Sequence, residues 1–396
     1  MRNHILSSIW AATLAFAFAV VTTAVATDPA IVAFRANGEL VWDHAFTNGE
    51  ASIECCTNLA TGGWLPVQRA YPTCGVWTGQ VAATANRAFC RIAVTDYGQP
   101  RCWAEYAFWY DHYSGSINFV TGDVFWGKVH ANSAIYLSGA PVFHEMVSSS
   151  ATNWGAWATN AVLDKGYQLG APVESLFKIN FTNTASTQDC LRLQADLVIT
   201  GFTSMAMAGT NFYISNTNRG WTSYNYGAAN RSVLSNGLLY IATAASDTGT
   251  VSIAGTLRGR LTIVADGTIN ITNHIRYADN PSTNAGSADA LGLISRQYVI
   301  VKTSCPSNLD LFAHIIATGD AASPTNFGMF TVENYDSRPA SSCGNLNLYG
   351  GVVETFRGPV GTSGGAGTGY VKHYIYDTRF PANPPPHYPL IGYADH

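Results

Sequence analysis

From residue 103 onward the apolar runs are mostly three to five residues long, and Gly, Asn or Pro closes almost every one. Asp123-Val124-Phe125-Trp126-Gly127, Lys128-Val129-His130, Ile135-Tyr136-Leu137-Ser138-Gly139 and Pro141-Val142-Phe143 follow one another with hardly a spacer. Runs so short suit neither helices nor long sandwich strands. They suit the rungs of a stacked β coil, in which neighbouring coils bury each other's inward-facing side chains while the turns vary in length. The same texture returns after residue 232. Leu261, Ile263 and Ala265 alternate with Thr262 and Val264, Asp266-Gly267 turns the chain, and Ile269, Ile271, Ile275 and Tyr277 continue. Further runs fall at 291–294, 299–301, 309–316, 327–332 and 346–353, without a strict repeat. The expected fold is all-β: an irregular parallel β-helix (solenoid) over residues 98–396, with a large sandwich or jelly roll as the alternative. Residues 148–232, rich in Asn, Ser, Thr and aromatics, read as an insertion or side lobe, with a short helix near Ser186–Gln194.

Ahead of this region, residues 27–97 read as a small β-sandwich-like module. Ile31–Phe34, Leu40–Trp42, Ala51–Cys55, Trp64–Val67 and Phe89–Val94 alternate with Gly, Asn and Pro turns. Asp96-Tyr97-Gly98-Gln99-Pro100 marks the boundary, because Gly and Pro break both helix and strand.

Residues 1–26 carry a secretory signal: a basic start at Arg2, an apolar stretch from Ile5 to Val21, and a small-x-small cut site at Ala24-Val25-Ala26. A retained membrane anchor is the other reading of that stretch. No later stretch is apolar enough to span a bilayer, so no span is expected after cleavage. An extracytoplasmic location follows, whether periplasm, outer surface or secreted. Only 12% of the chain is charged, its formal net charge is −4, and no basic run occurs, which excludes nucleic acid as an expected partner. Eight cysteines in an exported chain point to disulfides: Cys55, Cys56, Cys74, Cys90, Cys102, Cys190, Cys305 and Cys343. Five of them fall within 55–102, so that segment is the one expected to be stapled; Cys305 with Cys343 is a further candidate pair. No C-x-x-C, C-x-x-C-H or His at zinc-site spacing accompanies them, so neither metal nor cofactor is expected.

Motifs for chemistry are sparse. His130 and His144 lie in short strands or turns and read as structural groups. Gly361-Thr362-Ser363-Gly364-Gly365 has the letters of a nucleophile elbow, but more Gly follows where a helix is needed, so a turn is expected. A polysaccharide-active β-helix would draw on Asp266, Asp279, Asp289, Arg276 and Arg296. Asp266-Gly267 and Asp279-Asn280-Pro281 are ordinary turn chemistry, however. No catalytic residue is assigned and the chain is not expected to be an enzyme; a glycosidase or lyase is the alternative. Passive carbohydrate binding would use exposed aromatics, with Trp221, Tyr224 and Tyr226 as the candidate stacking set and Phe108-Trp109-Tyr110 with Tyr113 as a second cluster. Tyr370, Lys372, Tyr374 and Tyr376 share one parity, which suits a last strand capping the coil, with Pro384-Pro385-Pro386 stiffening the exit.

Several stretches in order resemble an uncharacterised family of bacterial surface proteins, some associated with pilus-like systems. They are Asp123–Asn132 with Ile135–Phe143, Gly259–Asp266 with Ile269-Asn270-Ile271 and Ile275-Arg276-Tyr277, and Asp289–Ile294. Tyr349-Gly350-Gly351, Arg357–Gly361, Gly369–Arg379 and Pro384–Pro386 complete the pattern. The chain departs from it at His373, Thr378 and His387 and lacks a Gly-Phe-Thr-Leu-x-Glu prepilin signature. Asn37–Trp42, Ser52-Ile53-Glu54, Gly63-Trp64 and Phe89-x-Arg91-Ile92 resemble a small fibronectin-like module. The resemblance implies a β-solenoid body and a structural or adhesive role at the cell surface. Its expected partners are other surface or pilus-like proteins, or extracellular glycans.

Overall fold

The computed structural model describes residues 20–22, 30–35, 39–44, 49–56, 65–70, 75–80, 89–96, 101–113, 117–158, 160–176, 179, 181–182, 190–225, 236–245, 248–319, 328–339, 342–362 and 367–391. The chain divides into two compact units, residues 1–101 and 102–396. Among the described residues no helix is long and apolar enough to cross a membrane. Of the segment read as a secretory signal, only Val20–Thr22 is described, as a strand beside Phe89–Asp96.

The first unit consists of two small sheets. One orders Val20–Thr22, Phe89–Asp96, Gly49–Cys56 and Leu65–Ala70; the other orders Ala30–Phe34, Glu39–His44 and Gly75–Gln80. Leu40, Val41, Trp42, Ile53, Cys90 and Ile92 are buried.

The regular structure of the second unit is nearly all strand, and its pairing is overwhelmingly parallel. Inward positions of successive strands line up: Leu239, Ile263, Leu293, Ile315 and Val352 are consecutive partners, and every one is fully buried. Burying one such side chain stabilises by roughly 1.5–3 kcal/mol, so a column of them fixes the register strongly. A second column runs Ile253, Ile271, Val301 and Val332. In each case the chain leaves one strand, turns, and comes back to lie parallel to it one strand spacing away. Glycine permits the sharpest bend. Gly350 has φ +149°, and a Cβ there would stand 1.9 Å from the Ala313 carbonyl oxygen of the neighbouring strand.

The longest ladder contains two stacks. In the first, Tyr106–His112, Lys128–Ala131, Val147–Ser149 and Tyr167–Leu169 follow in chain order. In the second, Leu197–Thr200, Leu238–Ala242, Arg260–Ala265, Ala290–Ser295, Leu309–Ala317 and Asn345–Phe356 do the same. The two stacks join where Val352, Val353 and Glu354 pair with Phe108, Trp109 and Tyr110. Thus the last strand of the second stack lies against the first strand of the first, and spatial order differs from chain order. Ten strands at the usual ~4.8 Å spacing span roughly 43 Å. Pair by pair, the registers leave this ladder open at Tyr167–Leu169 and Leu197–Thr200 among the described residues, rather than closing it into a barrel.

Residues 148–232, read from sequence as a side lobe, contribute Tyr167–Leu169, Leu197–Thr200 and the Thr203–Gly209 strand to these same ladders, and Val162–Leu163 to a separate parallel sheet with Val142–Phe143 and Val124–Phe125. Residues between the two stacks pack over the outer face of the long ladder. Leu176, Ile179, Phe181 and Leu191 join Trp109, Tyr240, Val264, Ile294, Ile316 and Val353 in one apolar cluster, together with Phe380 and Tyr388. Ala290–Ser295 is therefore buried at all six positions, as a sheet covered on both faces must be. The helix in this stretch is one turn, Leu191–Gln194.

The segment expected to cap the coil pairs along one edge among the described residues, and ends the branch of the ladder that runs through Leu309–Ala317. Val371–Tyr376 pairs with the first half of Asn345–Phe356, beside the join between the stacks. The proline run then crosses the outer face, where Arg260 donates to the Pro384 carbonyl and Thr262 to that of Pro386. The parity was read correctly, but the strand pairing beyond it links residues too far apart in sequence to leave a local signal.

Candidate functional site

Three successive returns of the first stack place equivalent residues in a column. Phe125, Phe143 and Leu163 pair in register, and the residues that follow them are Trp126, His144 and Asp164. Trp126, 51% exposed, lies nearly flat on the His144 ring, with centroids 3.8 Å apart and planes at 24°. His144 Nδ1 is 2.7 Å from Asp164 Oδ2, and beside this row Lys165 Nζ donates to Glu145 Oε1 at 2.7 Å. The backbone fixes the column: the His144 amide donates to the Phe125 carbonyl and the Asp164 amide to that of Phe143, each bond one strand spacing further along. An exposed indole is thus laid on an imidazole that is itself paired with a carboxylate, with further polar groups alongside. Such a surface can stack on an apolar ring face and hydrogen-bond around its rim. Nearby on the same stack, Trp154, Trp157 and Tyr167 form a cluster with centroids 4.8–5.9 Å apart, and Trp157 and Tyr167 are 46% and 51% exposed.

The stacking set named from sequence is only partly assembled. Trp221 and Tyr224 stack at 4.6 Å and 15° on the Trp221–Asn225 strand, and the Arg219 guanidinium sits 5.0 Å from the Trp221 ring. Both rings are half-buried against the core. Tyr226 lies outside the described residues. In the second cluster Phe108, Trp109 and Tyr110 are core side chains, and Tyr113 stacks on Tyr136 at 3.9 Å. Trp126 was missed as a site residue because the 18- to 20-residue recurrence of Val-Phe-Trp, Val-Phe-His and Val-Leu-Asp is too brief to register as a repeat.

The acidic and basic candidates do not converge on one groove; each has its own local partners. Asp266, with a side chain 6% exposed, accepts from the Tyr240 hydroxyl, the Thr243 amide and Arg296. Asp279 accepts from Asn284, and buried Asp289 accepts from the Gly259 and Asp279 amides. Arg276 pairs with Asp310 in an exposed polar row that continues through Asn347 to His373. Asp310, although partly desolvated, is held below its usual range by Asn347 and Arg276. His130 is buried between Ser148 and Asn132. Gly361-Thr362 forms a two-residue strand opposite Thr368-Gly369, and residues 363–366 lie outside the described part.

The cysteines divide by unit. Cys90 is disulfide-bonded. Cys74 and the side chains of Cys55 and Cys56 lie outside the described residues. Cys102, Cys190, Cys305 and Cys343 are buried thiols, which corrects the expectation of disulfides for these four and of a Cys305–Cys343 pair in particular. They act as small core side chains. Cys305 donates to the Ile271 carbonyl at 3.2 Å, and burial pushes its thiol up to about 11. Among the described residues no three His, Cys, Asp or Glu gather as a metal site.

The class these features define is a nearly all-β protein built on large, mainly parallel sheets. No family model matches the chain, no curated protein matches its sequence, and no solved structure matches its fold.

Proposed function

We propose that this chain is an extracytoplasmic β-solenoid protein, structural or adhesive in role, that holds surface glycans through the Trp126 column. The solenoid reading is supported by the parallel returns at Val251, Ile269, Val299 and Phe330, and by those at Val129, Val147 and Tyr167. Stacked returns of this kind give an elongated body with long lateral faces, which suits display of a binding surface. The exposed location fits the secretory signal read at residues 1–26 and the Asn-, Ser- and Thr-rich composition.

The observation that carries the adhesive role is Trp126, half exposed and laid on His144. Trp157 and Tyr167 on the same stack are exposed as well, and several exposed rings are what a ring-stacking surface needs. The test is binding of purified protein to insoluble polysaccharides and to a glycan array. Trp126→Ala should weaken binding about tenfold or more, as removal of a central aromatic anchor does. Equal binding by Trp126→Ala and the parent, or no glycan bound by either, would sink the glycan role.

A further inference from the structure

Side-chain hydrogen bonds crowd the join between the two stacks. Across it, Arg357 donates to the Ile117 carbonyl at 2.7 Å and the Asn118 carbonyl at 3.3 Å, with its guanidinium 3.8 Å from the Phe119 ring centroid. The Tyr376 hydroxyl donates to the Ala104 carbonyl, and His314 Nε2 to that of Tyr106. Lys372 Nζ donates to Asp123 Oδ2 at 2.7 Å.

The lysine is out of character for its position. In register, Leu309 pairs with Leu346 and Leu346 with Lys372, so Lys372 occupies an inward column whose two preceding members are fully buried leucines. Its side chain is 21% exposed and that of Asp123 only 4%. Phe125 packs edge-on to both Tyr374 and Phe119 nearby, so aromatic rings wall the pair. Asp123 is further fixed by the Val120 amide, which donates to the same oxygen at 3.0 Å. A third ionisable group, Glu354, is 1% exposed and accepts from the Phe330 and Gly358 amides. Burial pushes Glu354 up to about 8, so at neutral pH it mostly holds its proton. Burial likewise pulls Lys372 below its usual range, towards the neutral amine.

We propose that Lys372 and Asp123 become joined, side chain to side chain, by an amide bond that forms within the folded protein. Proton transfer along the existing hydrogen bond turns ammonium and carboxylate into amine and carboxylic acid. The Lys372 nitrogen lone pair then attacks Cγ of Asp123; a C–N bond forms, a C–O bond breaks, and the departing hydroxyl leaves with a lysine proton as one water. No oxidant, reductant or further reactant is needed. Placement supplies the rate: the hydrogen bond holds the nitrogen beside the carboxyl group, and rotation about the Asp123 Cβ–Cγ bond turns the carboxyl face, the direction of attack, towards it. The dry site supplies the drive, because a buried ion pair costs several kcal/mol per ion to desolvate whereas an amide carries no charge. The bond would tie together residues 249 positions apart and fasten the two stacks at their join.

The experiment is mass spectrometry of the purified full chain, reduced and denatured. The expected result is a polypeptide lighter by one water than its sequence, and a branched proteolytic peptide containing both Asp123 and Lys372. Lys372→Arg keeps the charge but removes the amine nucleophile, and Asp123→Ala removes the acceptor; each should show the unmodified mass and separate peptides. Circular dichroism confirms that Lys372→Arg is folded. Recovery of unlinked Asp123 and Lys372 peptides from the folded parent, after prolonged incubation, would overturn the proposal. A water loss that maps elsewhere, or persists in Lys372→Arg, would do the same.

Discussion

His314 shows how completely burial can decide a residue's chemistry. It is fully buried, with Nε2 2.9 Å from the Tyr106 carbonyl and Nδ1 2.6 Å from the Tyr388 hydroxyl. A carbonyl only accepts, so Nε2 carries the hydrogen and Nδ1 accepts from the tyrosine. Burial pulls this histidine down to about 4, and the ring stays neutral. Glu354 is shifted the opposite way, up to about 8. The two give stability opposite slopes with pH. The unfolded chain takes up a proton that His314 refuses, so stability falls as pH drops from about 6.5 towards 4. The unfolded chain releases a proton that Glu354 keeps, so stability falls as pH rises from about 4.5 through 8. Urea unfolding should therefore show a decline between neutral pH and pH 8 that Glu354→Gln flattens, the difference amounting to about 1 kcal/mol over that unit of pH. An unchanged slope in the variant would show that Glu354 ionises freely. Neither shift was legible in the sequence, since both residues look like ordinary polar members of apolar strands.

At the scale of elements, the alternation of apolar residues was a sound guide where strands are long enough to display it. Arg260–Ala265, Ile269–Tyr277, Ala290–Ser295, Leu309–Ala317 and Asn345–Phe356 all fall on runs whose pattern is visible in the chain. Val162–Leu163 and Tyr167–Leu169 are too short to show a period, and they lie among exposed aromatics, so their share in the parallel sheets was hidden. Columns rather than single strands carry the stability. Ile263→Ala, in the middle of one, should cost about 2–5 kcal/mol in urea unfolding, whereas Ser204→Ala on the exposed side of its strand should stay within ~0.5 kcal/mol. Similar costs for both would mean that the column is loosely packed. Gly350→Ala should be worse tolerated than either. The new methyl group meets a backbone carbonyl, and no side-chain rotation can relieve that contact.

For the molecule as a whole, the governing fact is that both free ends of the long ladder, Tyr167–Leu169 and Leu197–Thr200, come from inside the second unit's chain, while the ladder's first and last strands meet at the join. Stacked arrays whose ends coincide with the chain's ends can fray from either side. Here fraying at the chain's ends would break the ladder at its interior, so residues 102–396 should unfold in one transition, with tryptophan fluorescence and circular dichroism changing together. Two separated transitions would show that the stacks stand independently. The join itself left no trace in the sequence, because partners such as Val352 and Phe108 are related by no local pattern. Its position also has a consequence for how the protein is made. A ribosome delivers Tyr106–His112 long before Asn345–Phe356 exists. The earliest strands of the second unit must wait for a neighbour that is among the last to be translated. A nascent chain of this sequence therefore remains unfinished, and open to being held or passed on by other factors, for almost the whole of its synthesis.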